Sequence, residues 1–382
     1  MDVTCVTKND IREFAYKSGI DVLGFASPDC LFKYRVLLKN RCELGLSCSI
    51  EEKDVEKRIN PALLLEDVKS IIAIAVSYNI DFKRDDLKSG FGIVSRTSWG
   101  KDYHMVLKEK LDMLKSFILS KCNNAKMVSL VDNNPLLERA IAYSAGIGFY
   151  GKNNMIINEE YGSYIFLGEL LLNVYFEPDT PIDSKCGDCS LCLKACPGKA
   201  FVSDYNIDAN KCLSYATIYK GYLNDETIKK LGKRIYGCDV CQEVCPFNKR
   251  AKKVMRNEFI PGKLKPRHNL TEILDLDNKR FKEVFGPTSS SWRGKNTIIR
   301  NAIIASINSK DKDSIKSLKS LLKGNSAYLR GYSAYALSIL DGERSISGIE
   351  NAYLKETDIE TKEFMKKALK NIRGEVFEDN KR

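Results

Sequence analysis

Histidine is almost missing from this chain, which has only His104 and His268 among its 382 residues. A helix cannot therefore carry the two histidines of a hydrolytic zinc site, and a serine–histidine hydrolase has little to work with. Long apolar runs are missing as well. The run at residues 71–80 is interrupted by polar residues, and the next one, residues 161–176, is broken by Glu169. Neither reaches the roughly 20 apolar residues of a spanning helix, so we expect no membrane segment.

An export signal is not evident either. Charged residues are spread through the first 25 positions with no apolar core among them, so we expect a cytoplasmic protein. The length predicts two or three domains. With 43% apolar and 29% charged residues, the composition is that of ordinary globular proteins, and it excludes a disordered chain, a collagen and a disulfide-held mini-protein.

Positive charge is concentrated in one segment. The chain carries a net charge of +11, and residues 249–342 alone hold 20 Lys and Arg against 8 Asp and Glu. Such a local field favours polyanions, because their condensed counterions are released on binding. The alternative interpretation is a solvated basic face that only keeps the protein soluble.

Cysteine is abundant, and eight of the 13 cysteines lie between residues 186 and 245. The first run has the bacterial ferredoxin spacing C-x2-C-x2-C-x3-C-P, and the second ends in C-x2-C-x3-C-P after one cysteine far upstream. In two-cluster ferredoxins the cysteine before proline ligates the other cluster. We therefore predict two [4Fe–4S] clusters, one held by Cys186, Cys189, Cys192 and Cys245 and the other by Cys196, Cys212, Cys238 and Cys241.

Two other uses of these cysteines are weaker. A cytosolic context disfavours a disulfide framework, and zinc knuckles need neither a third cysteine in the run nor one before proline. The isolated cysteines are interpreted as core or surface thiols without a cofactor role: Cys5, Cys30, Cys42, Cys48 and Cys122. Two clusters in series conduct single electrons, so the long flanking regions should hold an acceptor, a substrate or both.

The first 180 residues alternate between helical and strand patterns, which indicates an α/β or α+β domain. The predicted helices are residues 8–18, 103–120 and 136–145, and the predicted strands are residues 21–26, 69–78, 126–131 and 165–176.

Asp132 ends one of these strands, where such folds place ligand-binding groups. Beside an apolar cofactor its pKa would be raised, which suits a proton donor, although a helix cap is the competing interpretation. The glycine-rich stretch 146–154 is interpreted as a close approach to a large ligand, and His104 as a packed or capping residue.

After residue 246 the pattern changes to short amphipathic helices with a weak repeat of HEAT type. Arg293, Lys295, Arg300 and Arg330 are expected at helix starts or between helices, inside the basic segment. Together with the charge asymmetry this predicts contact with RNA.

Several motifs together resemble one family, the epoxyqueuosine reductases, which are cobalamin-dependent iron–sulfur enzymes of tRNA modification. The resemblance is carried by Arg58-Ile-Asn-Pro61, Trp99-Gly-Lys-Asp-Tyr-His104, Val131-Asp132, Glu138-Arg139-Ala140, Gly146-Ile-Gly-Phe-Tyr-Gly151-Lys-Asn153, Gly162-Ser163, Leu167-Gly168-Glu169, the cysteine runs, Cys212-Leu-Ser214-Tyr215, Tyr236-Gly-Cys-Asp-Val-Cys-Gln242, Arg293-Gly294 and Arg300-Asn301. Thr97-Ser98 departs from the Tyr-Ala that the family pattern leads us to expect.

The resemblance implies a multi-domain α+β protein. Its parts would be an α/β cobalamin-binding domain at residues 1–180, a bacterial-type two-cluster ferredoxin domain at 181–255 and a basic, helical HEAT-like tRNA-binding domain at 256–382. The implied activity is reduction of epoxyqueuosine to queuosine in the anticodon loop of tRNA, the last step of queuosine biosynthesis, using cob(I)alamin generated through the two clusters.

The resemblance also implies roles for individual residues. Asp132 would protonate the opening oxygen of the substrate and contact the cofactor. Further cobalamin contacts would come from Arg58, Ser95, Asn153, Ile157, Gly162, Ser163, Ser214 and Thr217. The tRNA would be bound by Arg293, Lys295, Arg300, Asn301 and Arg330.

The implied partners are a tRNA carrying epoxyqueuosine and an external low-potential donor of the flavodoxin or ferredoxin type, with the protein acting as a monomer in the cytoplasm. The alternative is a corrinoid and iron–sulfur reductase of a small substrate, resembling reductive dehalogenases, which would not need the basic helical tail.

Overall fold

The computed structural model describes residues 6–82 and 89–374 of the chain. The α-helices are α1 Lys8–Lys17, α2 Arg35–Glu43, α3 Val55–Ile59, α4 Tyr103–Lys121, α5 Glu138–Ser144, α6 Leu191–Ala195, α7 Leu213–Ile218, α8 Asp225–Leu231, α9 Val240–Glu243, α10 Pro246–Arg250, α11 Leu270–Leu274, α12 Asn278–Val284, α13 Lys295–Ser309, α14 Ile315–Leu321, α15 Ala327–Leu340, α16 Ile346–Lys355 and α17 Ile359–Arg373.

The strands are short apart from two of eight residues. They are β1 Val22–Ala26, β2 Ser70–Ser77, β3 Phe91–Val94, β4 Met127–Leu130, β5 Phe149–Tyr150, β6 Ile156–Ile157, β7 Ile165–Leu172, β8 Phe201–Ser203, β9 Asn206–Ile207, β10 Arg234–Tyr236 and β11 Arg267–Asn269. The long helices and strands predicted in the first 180 residues are present, with ends displaced by a few residues. Within the described residues, no helix is both long and apolar enough to cross a lipid bilayer.

The chain forms two compact units. The first contains Met1–Phe82, Lys101–Cys212 and Asp239–Ile260, and the second contains Lys83–Gly100, Leu213–Cys238 and Pro261–Arg382. The three-domain division at residues 180 and 255 remains a prediction.

The first unit is built on a four-stranded sheet with the order β1-β2-β7-β4. Every neighbouring pair in it is antiparallel, so the unit is α+β, one of the two classes that the alternating pattern indicated, and not the α/β domain that the family resemblance implied. Helix α4 packs on one face of β7, and α5 packs on the strands from the side of the main apolar core. Because both faces are covered, all eight residues of β2 are buried and read as an apolar run.

Helix α4 confirms the apolar stripe that its sequence predicts. Leu107, Leu111, Leu114 and Ile118 are all fully buried at helical spacing. The helix begins after Asp102, whose side chain accepts a hydrogen bond from the backbone N–H of His104. This N-cap fixes where the first turn of α4 lies, and the first turn carries Tyr103 and His104.

The second unit combines a three-stranded sheet, β10-β3-β11, with the helices that follow it. Helix α13 packs on β10 and on α15, and α15 packs on α17. Residues 297–307 of α13 are all buried, including the polar pair Arg300 and Asn301. This helix is therefore a core element of its unit and has no charged outer face along its middle turns.

Candidate active site

Asp132 lies in the loop between β4 and α5, and more than half of its side chain (53%) is exposed. Its backbone has φ +50°, the left-handed conformation that few residues other than glycine adopt. The competing interpretation, a helix cap, is wrong, because the residue at the N-cap of α5 is Leu137 and no side chain caps that end. The carboxylate is therefore free for another role.

Two side chains from the first turn of α4 hold the Asp132 carboxylate. The Tyr103 hydroxyl donates to Oδ2 at 2.6 Å, and His104 Nε2 lies 3.2 Å from the same oxygen. The other ring nitrogen of His104 lies 2.7 Å from Asp102 Oδ1. The Tyr103 ring stacks on Phe166 of β7 with the ring centroids 4.3 Å apart. A strand end and a helix start thus bring together an acid, a base and a phenol.

The protonation states follow from these contacts. Burial alone would lower the pKa of His104, but the hydrogen bonds with Asp102 and Asp132 raise it to about 9. The hydrogen bond from His104 holds the pKa of Asp132 below its usual range, against the opposing effect of burial. The raised pKa predicted for Asp132 beside an apolar cofactor remains a prediction. At neutral pH the site is an imidazolium between two carboxylates.

The sequence interpretation missed the role of His104, which was taken for a packed or capping residue. A lone histidine near a helix start carries no metal signature, and its partner Asp132 is far away in sequence. The one available signal was Asp102, placed two residues earlier, where a carboxylate can cap the helix and orient the imidazole together.

The first predicted cluster site forms a cavity in the first unit. A space of about 230 Å³ is lined by Cys186, Cys189, Cys192 and Cys245. Burial raises the pKa of Cys192 and of Cys245, so these free thiols would release a proton when a metal binds them. Within residues 6–82 and 89–374 no group of His, Cys, Asp and Glu could hold a single metal ion, and the thiols are instead spread around a cavity.

Two sulfur atoms assigned to the second cluster accept hydrogen bonds within their own units. The Ala200 N–H lies 3.4 Å from Cys196 Sγ, and Arg234 Nε donates to Cys238 Sγ at 3.2 Å. Hydrogen bonds to sulfur tune the potential of a cluster that these thiolates would hold.

The five isolated cysteines do not share one state. Cys30, Cys42 and Cys48 are free thiols, as predicted. The thiol prediction is wrong for Cys122, which is disulfide-bonded. Cys5 lies outside the described residues.

The predicted cobalamin contacts in the first unit are mostly buried and bonded to the cluster-bearing segment. Ser163 Oγ donates to Gln242 Oε1 at 2.8 Å, and its N–H donates to Asn248 Oδ1 at 2.7 Å. Asn153 Nδ2 lies 3.5 Å from the carbonyl oxygen of Cys241. These loops are therefore tied to the residues around the cysteines.

Other predicted contacts in this unit differ in their surroundings. Arg58 donates to Glu51 at 3.3 Å, and Ile157 is buried beside the first cluster cavity. Gly162 and Gly148 allow close packing within the protein itself, because a Cβ would lie 2.2 Å from Asn248 Oδ1 and 2.5 Å from a backbone oxygen of Ile157 respectively. The expectation that the glycine-rich stretch approaches a ligand is therefore not supported at Gly148.

The remaining predicted cobalamin contacts lie in the second unit. Thr217 Oγ1 accepts from the Gly237 N–H at 3.0 Å and donates to the Ser214 carbonyl at 2.6 Å. Ser95 is buried. It lies so close to Gly237 that a Cβ added to this glycine would be 2.5 Å from the Cβ of Ser95. Ser95, Ser214 and Thr217 thus surround or approach the residue that precedes Cys238.

The structure corrects the prediction of tRNA contact for Arg300 and Asn301, because both side chains are fully buried. Arg300 Nη2 donates to the carbonyl oxygens of Ala216 and Tyr219, each at 3.0 Å. Asn301 Nδ2 donates to the carbonyl oxygens of Thr217 at 2.8 Å and of Ile235 at 2.7 Å. These residues join α13 to α7 and β10 and have no surface to offer a phosphate.

The other predicted tRNA contacts lie nearer the surface. Arg330 is bonded twice to the buried Glu356, at 2.7 and 2.8 Å, so its charge is largely used inside the unit. Arg293 and Lys295 are partly exposed, and the Arg293 guanidinium lies 4.2 Å from the ring centroid of Trp292. Trp292, which sequence reasoning did not select, is 55% exposed and donates to the Tyr236 hydroxyl at 3.1 Å.

Both histidines of the chain are engaged by the protein. His104 is held by Asp102 and Asp132, and the buried His268 accepts from the Lys265 N–H at 3.3 Å and lies 3.4 Å from Glu272.

Known families match the regions that carry these features. Residues 58–133 match the model described as epoxyqueuosine reductase QueG, DUF1730, and residues 185–248 match the 4Fe-4S double cluster binding domain. Over 373 residues the chain is 41% identical to the epoxyqueuosine reductase of Bacillus subtilis (strain 168), with 96% of each sequence covered. It is 39% identical over 371 residues to the enzyme of Staphylococcus aureus (strain NCTC 8325), covering 95% of this chain and 96% of the other.

The chain belongs to the epoxyqueuosine reductase family. A crystal structure of an epoxyqueuosine reductase with an epoxyqueuosine-modified tRNA-Tyr stem loop matches with a TM-score of 0.91 at 41% identity, covering 96% of this chain and 98% of the other. A Bacillus subtilis family structure, with the aspartate catalytic loop swung out of the active site, matches with a TM-score of 0.90 at 40% identity, covering 95% and 98%. Family membership over nearly the whole chain sets aside the dehalogenase-like alternative, and all eight clustered cysteines lie in the double-cluster domain.

Proposed function

We propose that this chain reduces epoxyqueuosine to queuosine in the anticodon loop of tRNA, as the last step of queuosine biosynthesis. The observation that carries the proposal is the exposed Asp132 carboxylate. Its Oδ2 atom is hydrogen-bonded by the Tyr103 hydroxyl and by the His104 ring. It lies in a chain that also has a 4Fe-4S double-cluster domain. Overall the epoxide oxygen leaves as water and the ring gains an alkene, which consumes two electrons and two protons.

The chain's own residues supply the protons. The epoxide oxygen becomes an alkoxide when its carbon–oxygen bond breaks, and it then needs a proton donor within hydrogen-bond reach. In our proposal the proton starts on the imidazolium of His104, passes to Asp132 through the contact at Oδ2, and is donated by Asp132 to the oxygen. Desolvation by the bound substrate would bring the pKa of Asp132 back up, which favours the transfer.

Cobalamin is the proposed cofactor, and when bound it supplies a strongly reducing, nucleophilic cobalt centre. The residues that would hold it are Arg58, Ser95, Asp132, Asn153, Ile157, Gly162, Ser163, Ser214 and Thr217. Many of their polar side-chain atoms are already bonded within the protein, so backbone groups would make much of the contact. The two histidines are already bonded within the protein, so neither is among the residues that would hold the cofactor.

The two clusters would deliver single electrons to that centre from an external low-potential donor of the flavodoxin or ferredoxin type. Cys186, Cys189, Cys192 and Cys245 would ligate one cluster, which the shared cavity supports. Cys196, Cys212, Cys238 and Cys241 would ligate the other. We propose that the protein works in the cytoplasm as a monomer.

The tRNA would be bound by the basic helical part of the second unit. We interpret these helices as a HEAT-like repeat. Arg293 and Lys295 would contact the tRNA, which their partial exposure supports, and the exposed ring of Trp292 beside Arg293 would stack on a base. Arg330 is paired with Glu356, so it would contribute to tRNA binding mainly by shaping the surface around it and less through its own charge.

The decisive experiment is a single turnover on tRNA that carries epoxyqueuosine, read by mass spectrometry of the nucleosides. We expect queuosine only when reduced protein, cobalamin and reconstituted clusters are all present, with about eight irons per chain. Conversion without cobalamin, or a reconstituted protein with about four irons, would overturn the corresponding part of the proposal.

A further inference from the structure

The Asp132 loop, residues 131–137 between β4 and α5, is hydrogen-bonded to Glu138, the first residue of α5. The Asp132 N–H donates to Glu138 Oε1, and Asn134 Nδ2 donates to the same oxygen at 3.0 Å. The left-handed backbone at Asp132 is strained for a residue with a side chain, so the loop needs contacts that outweigh this strain. Glu138 supplies two of them with one oxygen atom.

A second carboxyl group, Glu169, lies near Glu138. In the sheet it pairs with Leu130 of β4 and Ala73 of β2, in the middle of the four strands. Its side chain points to the face on which Leu171 and the residues of α5 form the apolar core. The group is fully buried, and within the described residues neither of its carboxyl oxygens has a hydrogen-bond partner.

An ionised carboxylate in that position would be very costly, so Glu169 is held as a neutral acid. Burial raises its pKa well above the usual value, and the charge of Glu138 adds to the effect. Burial and the nearby charge of Asp132 likewise raise the pKa of Glu138, to about 7. The charged groups around the pair are Asp132 on the loop, Arg139 on α5, and, beyond Asp132, Asp102 and His104.

We propose that Glu138 is a positioning residue that latches the Asp132 loop in its active position, with Glu169 as a buried neutral neighbour that lets Glu138 carry the only negative charge of the pair. The inference rests on the proposed function, since it gives Asp132 a reason to be held. Ionised Glu138 is a strong acceptor for the Asp132 N–H, and a proton on Glu138 weakens that acceptor. In the Bacillus subtilis family structure the catalytic aspartate loop is swung out of the active site, so this loop takes more than one position within the family.

The latch can be measured by amide hydrogen exchange in the intact protein with its clusters. We expect Glu138→Ala to lower the protection of residues 131–137 at least tenfold at pH 8, and to lower the single-turnover rate by a similar factor at unchanged tRNA affinity. Glu138→Gln keeps an oxygen that accepts from the Asp132 N–H, so it should restore part of the protection. It should also abolish the loss of protection that we expect in the native protein between pH 8 and pH 6.

The matched control is Glu109→Ala, which removes an exposed carboxylate of α4 that pairs with Lys101. It should leave protection of the loop and the single-turnover rate unchanged. Native protection in Glu138→Ala, or a Glu138→Gln protein that keeps the pH dependence, would overturn the latch.

The exchange measurement needs neither substrate nor cobalamin, so it separates the two proposals. Suppose that every variant shows the hydrogen exchange expected above but the native protein makes no queuosine. That result would overturn the proposed function and support the latch. If Glu138→Ala does not fold, the loss or retention of pH dependence in the isosteric Glu138→Gln decides the question.

Discussion

Around Asp132, in the first unit, charged side chains are bonded to one another and stay open to solvent. Around Arg300, in the second unit, a charged side chain is closed off and bonded to backbone carbonyls. The first arrangement leaves charge and protons available to a ligand, whereas the second uses charge to join helix α13 to α7. Exposure, and not residue type, therefore separates a site for chemistry from a structural clamp.

The largest effect that would test this comparison is expected for Asp132→Asn. Asparagine tolerates the left-handed backbone and keeps the shape, but it cannot give up a proton. We expect single turnover to fall by about 10²–10⁴-fold, with iron content and thermal unfolding midpoint close to native. Turnover near the native rate would leave the carboxylate without a role in proton transfer.

Arg300→Met should behave in the opposite way. It leaves the carbonyls of Ala216 and Tyr219 without their buried donor, which costs about 1–3 kcal/mol of stability. We expect a clearly lower unfolding midpoint in a thermal scan. The control Arg280→Met removes an exposed arginine of α12 and should change the midpoint little. Equal midpoints for the two variants would contradict the clamp.

The pH dependence sharpens the comparison further. The pKa of His104 is raised from 6.5 to about 9 in the folded protein, so its pairing stabilises the native state fully below about pH 6.5 and is lost as pH rises through about 9. We expect the native single-turnover rate to fall about tenfold per pH unit above pH 9 as the imidazolium disappears. His104→Gln should lower the plateau and remove this alkaline limb. An unchanged limb in the variant would assign it to another group.

The smallest effect is expected at the surface of the second unit. Arg293→Ala and Lys295→Ala should each weaken tRNA binding several-fold and reduce the salt dependence by about one counterion. Lys316→Ala, an exposed lysine of α14 in the same basic segment, is the matched control. If all three variants lose affinity equally, the basic segment acts as a general field and not through defined contacts.

The features of the fold and the site that depend on a local residue pattern could be predicted from the sequence. The apolar stripe of α4, the buried run of β2 and the position of Asp132 at a strand end all follow from spacing of residues near one another in the chain. Cysteine spacing predicted the double-cluster domain for the same reason, because ligand geometry is written into a short segment.

The outcomes that depend on distant residues could not be predicted in this way. The pairing of Asp132 with His104 was not foreseen, and this hydrogen bond holds the pKa of Asp132 below its usual range in the protein alone. Arg300 was expected at a surface, but carbonyls some eighty residues earlier in the chain accept its hydrogen bonds. Glu169 was visible in the sequence as a polar break in an apolar run, and only the sheet shows that it faces the core next to α5.

The two tryptophans of the chain have a practical consequence. Trp99 is buried and donates to the carbonyl of Val94, whereas Trp292 is more than half exposed beside Arg293. The fluorescence of an exposed indole is quenched when a nucleobase stacks on it, and a sequestered one provides a steady background. The protein thus contains its own optical reporter, and titration with an unlabelled stem loop would follow occupancy without any attached dye.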